Sequence, residues 1–384
     1  MRTRQASARS RNVSRRRIST LTGLLALLFL LSGPAAAQQI ETTQALKFAC
    51  ETNPGNVVTL NQGTKIINGV RPPATEQVAT GCTLMLGPSA SFEADQVSMT
   101  FNGPFNIISS SQGGKAVFVK SQWQATSMNF DLTAGPKGEF KMAMSEMYTT
   151  QGDLVVRVGV EGQFQVQQRL VTTYTPRGAI DSAGSVIVSG GNKFLAQVYT
   201  SIHSVSGVSI ALEGRESVLK SEGAIFRTER GPISLTGAAP KTLMEFKELS
   251  MEPNGGDARI VLAGEEATLK MFRALIDVDG GNAELRAGGL GSLGLIELVD
   301  SQVFASGSVA VLSSRESVKG VVKLSKSGFV ADSDLLIATG SFGTTEVKEN
   351  NLSAGNTLRV LTGDNGKCIV ELNIVSAPFQ QICQ

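Results

Sequence analysis

The spacing of its apolar runs constrains this chain most. From about Cys82 onward, short alternating stretches begin near positions 83, 90, 97, 105, 116 and 127, separated by Gly, Asn, Ser or Asp. Val97, Met99 and Phe101 take one side of an extended segment and Ser98 and Thr100 the other. Met128, Phe130 and Leu132 repeat this against Asn129 and Asp131, as do Val208, Ile210 and Leu212 further on; a period of two is the signature of a strand with one buried face. Turn signals punctuate the runs, among them Asn102-Gly103-Pro104, Gly190-Gly191, Gly280-Gly281 and Asn365-Gly366. Starts roughly 7–11 residues apart leave no room for the dozen or more residues of a helical crossover, which disfavours doubly wound α/β folds.

Tandem β-sandwiches, one large barrel, or a solenoid of parallel strands with about three strands per coil remain. Sandwiches want linkers and buried aromatics. Here no linker interrupts 82–368, Trp occurs once and Tyr three times, so a continuous stack fits better. The segments Cys82-Thr83-Leu84-Met85-Leu86-Gly87-Pro88-Ser89-Ala90-Ser91-Phe92 and Leu336-Ile337-Ala338-Thr339-Gly340 resemble coils of right-handed parallel β-helix proteins, a class of secreted bacterial chains. The resemblance covers most of 82–375 and is one of texture, without a signature motif. It implies an all-β fold, a parallel β-helix or solenoid of short strands with capped ends, about 10–14 coils and on the order of 50–65 Å long. Two stretches, 242–252 and 265–276, fit helical spacing equally well through Leu243, Phe246 and Leu249, and through Leu269, Phe272 and Ile276; a short helix interrupting or flanking the stack is expected there.

The first 37 residues carry seven Arg and no acid, an apolar run from Leu21 to Leu31, and Ala35-Ala36-Ala37 before Gln38. This predicts an export signal cleaved after Ala37, and Ser14-Arg15-Arg16-Arg17-Ile18 resembles the twin-arginine pattern. The expected organisation is therefore signal peptide 1–37, N-terminal cap segment 38–81, solenoid 82–375 and C-terminal tail 376–384, in a chain exported to the periplasm, cell surface or exterior. Without the leader, 28 basic residues face 33 acidic ones, net −5, and no basic run offers a footprint for nucleic acid. No later segment has the length of a membrane helix. Cys50, Cys82, Cys368 and Cys383 form an even set in an exported chain and predict disulfides. Pairing of sequence neighbours is one of three connectivities.

Candidate chemistry is sparse. Asp277 and Asp279 in Leu275-Ile276-Asp277-Val278-Asp279, and Asp332 and Asp334, sit at strand spacing with both carboxylates outward, about 7 Å apart. In β-helix polysaccharide lyases and hydrolases such carboxylates bind calcium or serve as acid and base, so the resemblance makes these four the catalytic candidates, with Arg273 and Arg286 as ordinary basic neighbours. Asp pairs in turns and on solvated faces are also common for purely structural reasons. Gly289-Leu290-Gly291-Ser292-Leu293-Gly294 has the letters of a dinucleotide loop, but a strand-like run follows it where a helix N-terminus is required. His203 is the only imidazole, so any Ser-His-Asp triad would have to use it. Met142, Met144 and Met147 suit core filling better than a soft metal site, and Gln151, Gln163, Gln165, Gln167 and Gln168 mark the most polar stretch. No cofactor or metal site is expected, calcium entering only with an enzyme. The favoured expectation is a non-enzymatic structural or surface-interaction protein, adhesin-like, with a protein or glycan partner in the envelope or outside the cell; a carbohydrate-active β-helix enzyme, lyase or hydrolase, is the alternative.

Overall fold

The computed structural model describes residues 40–383 apart from 68–74, 89, 111–112, 168–178, 290–292 and 314–318. The expected export signal, the centre of the glycine-rich loop and Gln168 lie outside the described residues. The chain winds as a parallel β-solenoid of three sheets with 14, 13 and 13 strands, every strand pairing in parallel with the one a full coil away. The inward column of the first sheet shows the winding: Val58, Leu84, Ile107, Phe130, Val156, Val188, Ile210, Leu235, Ile260, Leu285, Val311, Ile337, Val360 and Ile382 succeed one another in register. The step is 22 to 26 residues except for 32 between Val156 and Val188. Stacked strands run from Val57–Leu60 to Phe379–Ile382, so rungs also occupy part of 38–81 and of 376–384.

Alternation places every second side chain inside. The interior columns are mostly apolar, apart from a run of Thr149, Ser182, Ser204 and Thr228 in the third sheet, and Leu, Ile, Val and Phe from the three sheets form one continuous core. Parallel strands hydrogen-bond all along the stack, and the apolar interior supplies the remaining drive. The two helix-like stretches are strands: Leu243–Lys247, Ser250–Pro253, Ala267–Phe272 and Leu275–Val278. The expected interruption is corrected by the corner between the second and third sheets. There Glu248 and Arg273 adopt φ of 55° and 51°, which shifts the phase of alternation. Met244, Phe246, Leu249 and Met251 all point inward, and their uneven spacing imitates a helix.

That corner repeats in nearly every coil. Gln96, Lys120, Met144, Asp300, Lys326 and Glu349 take left-handed φ values between 48° and 57°, unusual for residues with a Cβ. Each is held because its N–H donates to a carbonyl of the next coil, as from Lys120 to Ala143 at 2.9 Å and from Asp300 to Ser325 at 3.0 Å. A small buried polar side chain often follows. Ser121, Ser145, Ser301, Ser327 and Asn350 accept from a backbone N–H one coil earlier, Ser301 N–H to Ser327 Oγ at 3.1 Å and Ser327 N–H to Asn350 Oδ1 at 2.9 Å being examples. Buried donors are thereby paired. At the corner between the third and first sheets, coils touch backbone to backbone: a Cβ on Gly256 would lie 2.5 Å from the Gly231 carbonyl carbon, and one on Gly281 2.3 Å from Gly256 O.

The N-terminal end is covered by the helix Thr43–Thr52. Thr42 caps it by accepting from Ala45 N–H at 3.1 Å. Leu46, Ala49 and Cys50 are buried against the first coils, and a Cys50–Cys82 disulfide ties the helix down. Glu51 accepts the Ala79 N–H at 2.8 Å, closing the junction. A second bond, Cys368–Cys383, spans the last coil, where Leu372, Ile374 and Phe379 are exposed. The pairing of sequence neighbours is the one adopted.

Candidate ligand-binding face

The outer side of the third sheet carries the most varied chemistry. One outward column runs Gln77, Thr100, Gln124, Tyr148, Asp181, His203, Arg227 and Glu252, each a rung from the next, about 4.8 Å apart. A parallel column carries Ser98, Gln122 and Glu146 two residues back on the same strands. Between them lies an open groove of about 200 Å³ lined by Ser98, Thr100, Gln122, Gln124, Tyr148 and Asp181 among others. Its floor is firm, because Met99, Trp123 and Met147 beneath are core residues no more than 2% exposed. Gln122 Nε2 donates to Glu146 Oε2 at 3.2 Å, which orients an amide and a carboxylate at the groove wall.

Past the groove the column becomes charged. His203 Nδ1 lies 2.9 Å from Asp181 Oδ1, and its Nε2 lies 3.7 Å from Glu229 Oε1. The hydrogen bond to Asp181 raises the imidazole pKa above its ordinary value against the opposing effect of burial, and the Asp181 and Glu229 charges add to the rise while Arg227 lowers it. Arg227 in turn donates through Nε to Glu252 Oε2 at 2.8 Å, and Ser250 Oγ bonds Glu252 Oε1 at 2.9 Å. Among the described residues no serine completes a triad here: Nε2 faces a carboxylate, and the Ser204 hydroxyl points inward, 2.7 Å from Gly184 O and 2.8 Å from Gly207 O.

The four aspartates are not gathered. Asp277 stands exposed on the third sheet, one coil beyond Glu252 as the pairing of Met251 with Ile276 requires. Asp279 is in the following corner, bridged to Asn254. Asp332 occupies the same corner two coils later, and Asp334 opens the first-sheet strand Asp334–Thr339 opposite Thr357. The basic neighbours are elsewhere. Arg273, at the opposite corner, lies 3.7 Å from Glu248 and 3.4 Å from Asp300 and sits over the Phe272 ring; Arg286 stands on the first sheet between Val261 and Leu312. Among the described residues no group of three or more His, Cys, Asp and Glu could hold a metal ion. Met142 and Met147 are core residues, whereas Met144 is an exposed corner residue. Gln163, Gln165 and Gln167 belong to the outer face of the second sheet, where Gln165 pairs with Gln197, and Gly294–Val299 after the glycine-rich loop is a strand.

Sequence reasoning missed the groove and the Asp181–His203–Glu229 cluster. Their members come from strands 22 to 33 residues apart, and no motif connects them. The only available signal was that His203 and Asp181 both sit between strand-forming residues, which becomes informative once the coil length is known. No described helix is long and apolar enough to cross a membrane, and the two disulfides fit an oxidising compartment. Comparison with family models, with curated proteins and with solved structures finds no match, and the β-solenoid architecture is what the chain can be assigned.

Proposed function

We propose that the chain is an exported, non-enzymatic β-solenoid, akin to secreted bacterial β-helix proteins, that acts as an adhesin-like surface-interaction module and binds a glycan along the outer face of its third sheet. The observation that carries this is the groove: an open, polar trough on a rigid floor, with amides from Gln122 and Gln124, a carboxylate from Glu146 and one phenol ring from Tyr148. Such a surface presents donors, acceptors and a single stacking ring to a hydroxyl-rich chain without enclosing it. A flat face built from successive rungs suits an extended polymer better than a compact metabolite, which is normally enclosed in a pocket. The leader and the disulfides support a site of action outside the cytoplasm. The enzyme reading is not adopted, since it needs acids and a base converging on one bond and the four aspartates occupy three separate places.

Calorimetric titration with a panel of neutral and acidic polysaccharides tests the proposal. Binding is expected for at least one, and Tyr148→Ala should weaken it about tenfold, the loss of one stacking contact of about 1.4 kcal/mol. Absence of binding across the panel, or binding indifferent to Tyr148→Ala, would remove the groove from consideration. Sugar release abolished by Asp277→Asn would establish the enzyme instead.

A further inference from the structure

The outer face of the second sheet obeys a different rule. Its central outward column reads Lys220, Glu245, Lys270, Glu297, Lys323, Glu346 over six consecutive coils, the sign reversing at every rung. Within the rod the alternation puts opposite charges side by side, Lys220 Nζ lying 3.1 Å from Glu245 and Lys270 Nζ 3.8 Å from Glu297. Intramolecular pairing explains the alternation in that column. Flanking charges pair within the rod as well, Lys247 with Glu222 and Arg273 with Glu248 and Asp300, and that pairing leaves Phe272 exposed among them.

The column beside it runs Glu222, Lys247, Phe272, Val299, Ser325, Lys348, and the adjoining corner carries Glu248, Arg273, Asp300 and Lys326 on the same coils. The central column is antisymmetric about the point midway between the coil of Lys270 and the coil of Glu297, and the flanking columns follow it except where Lys247 faces Ser325 and Glu349 faces Gly223. A two-fold axis through that point, lying in the face and parallel to the strands, leaves each column opposite itself and inverts the order of the rungs. Lys220 then meets Glu346 of a second copy, Glu245 meets Lys323, and Lys270 meets Glu297. In the flanking columns Glu222 meets Lys348, Glu248 meets Lys326 and Arg273 meets Asp300. Phe272, 36% exposed in the single chain, meets Val299 at the centre. The remaining outward column, with Leu243 opposite Val321 and Thr268 opposite Leu295, adds half-buried apolar surface. One like-charge pair, Lys241 with Lys319, falls at the rounded edge, where both side chains are exposed and can turn into water.

From this charge complementarity we infer that the second sheet is a self-association surface on which a second copy of this chain packs antiparallel, face to face. Six rungs of about 4.8 Å by five residues of about 3.3 Å give a footprint of about 29 by 17 Å. Over both partners that removes on the order of 1,000–1,400 Å² from water, at the lower edge of what specific interfaces bury. Contacts between alternating charges exclude axes that pass through a coil, and the Phe272–Val299 centre selects this axis over one displaced by a single coil, which the ladder alone would also allow. The surface is isologous, so it closes at two copies. It leaves both third-sheet grooves uncovered, facing away from the interface, and it is independent of the glycan reading.

Sedimentation velocity of the oxidised chain over a concentration series at low salt is expected to show a species of twice the chain mass that weakens as salt rises. Lys220→Glu with Lys270→Glu should lower the association constant at least tenfold. Reversing all six ladder residues together (K220E, E245K, K270E, E297K, K323E, E346K) keeps the alternation inside the rod, so this variant separates loss of association from any loss of stability in the double variant. It should dimerise with itself and not with the unaltered chain when differently labelled populations are mixed. A chain that stays monomeric throughout the series overturns the inference, as does a dimer indifferent to the double variant or a six-fold variant that mixes freely with the unaltered chain.

Discussion

The early and late coils of the solenoid share a backbone geometry but differ in what fills and clothes it. Between Phe92 and Phe164 the interior is aromatic: Trp123 lies 4.9 Å from Phe105, 5.3 Å from Phe118 and 5.8 Å from Phe92 between ring centroids, and Phe140 stacks on Phe164 at 5.5 Å. From Ile210 to Val360 the interior is mostly aliphatic, with Leu, Ile, Val and Met in the same inward columns. Outside, the early coils carry the polar groove of the third sheet and the late coils the alternating charges of the second. A parallel rung asks only that every second residue be apolar and of roughly the right volume, so core chemistry and surface chemistry vary independently along one rod.

The largest expected contrast is in the core. Trp123→Ala or Phe118→Ala should destabilise by about 3–5 kcal/mol, whereas Ile260→Val among the late coils should lose about 0.5–1.5 kcal/mol, measured by denaturant unfolding followed by circular dichroism. Trp123 sharpens the point, because its indole Nε1 is buried without a hydrogen-bond partner. Trp123→Phe removes that orphaned donor along with some volume, and a net change within about 1 kcal/mol is expected from the opposing effects. A loss as large as that of the alanine variant would mean that packing alone governs the site.

Next in size is the tether at the N-terminal end. Closing a loop across 32 residues, as Cys50–Cys82 does, is worth about 3–4 kcal/mol by chain entropy. Cys50→Ala with Cys82→Ala should therefore raise amide hydrogen exchange in the helix and the first coils while leaving the coils beyond Val218 unchanged, since each rung contacts only its neighbours. Uniformly increased exchange would show the rod to be one cooperative unit.

Smaller effects belong to the surface. Lys270→Glu sets three like charges in a row with Glu245 and Glu297 and should lower stability by about 0.5–1 kcal/mol at low salt, an effect that fades as salt rises. His203 provides the most specific test of the third sheet. Its pKa is raised in the fold, chiefly by the hydrogen bond with Asp181, so its stabilising contribution is complete below the ordinary imidazole value and is lost as pH rises through the folded pKa. The chain holds a single His, so one imidazole resonance reports the titration. Asp181→Asn should move its midpoint down, and an unmoved midpoint would place the cause elsewhere.

The alternation of Val97, Met99 and Phe101, the close spacing of runs and the scarcity of Trp and Tyr were enough to indicate a β-solenoid, because a strand with one buried face must repeat every two residues, although the early coils fill their core with Phe. The cysteines were legible as disulfides, but their partners became definite only when the coils placed Cys50 beside Cys82 and Cys368 beside Cys383. The stretches around Phe246 and Phe272 misled for a local reason. A left-handed residue at each corner resets the phase, so inward positions separated by two and then three residues look like a helix.

What the sequence determined by itself was the periodicity, since burial of every second side chain is written directly into the order of residues. What only the tertiary structure decided was the company each outward side chain keeps. Tyr148, Asp181 and His203, like Lys270 and Glu297, become neighbours through coil lengths that vary from 22 to 33 residues. Surface chemistry depends on register between coils, and register is settled by how corners of unequal length close around a common core.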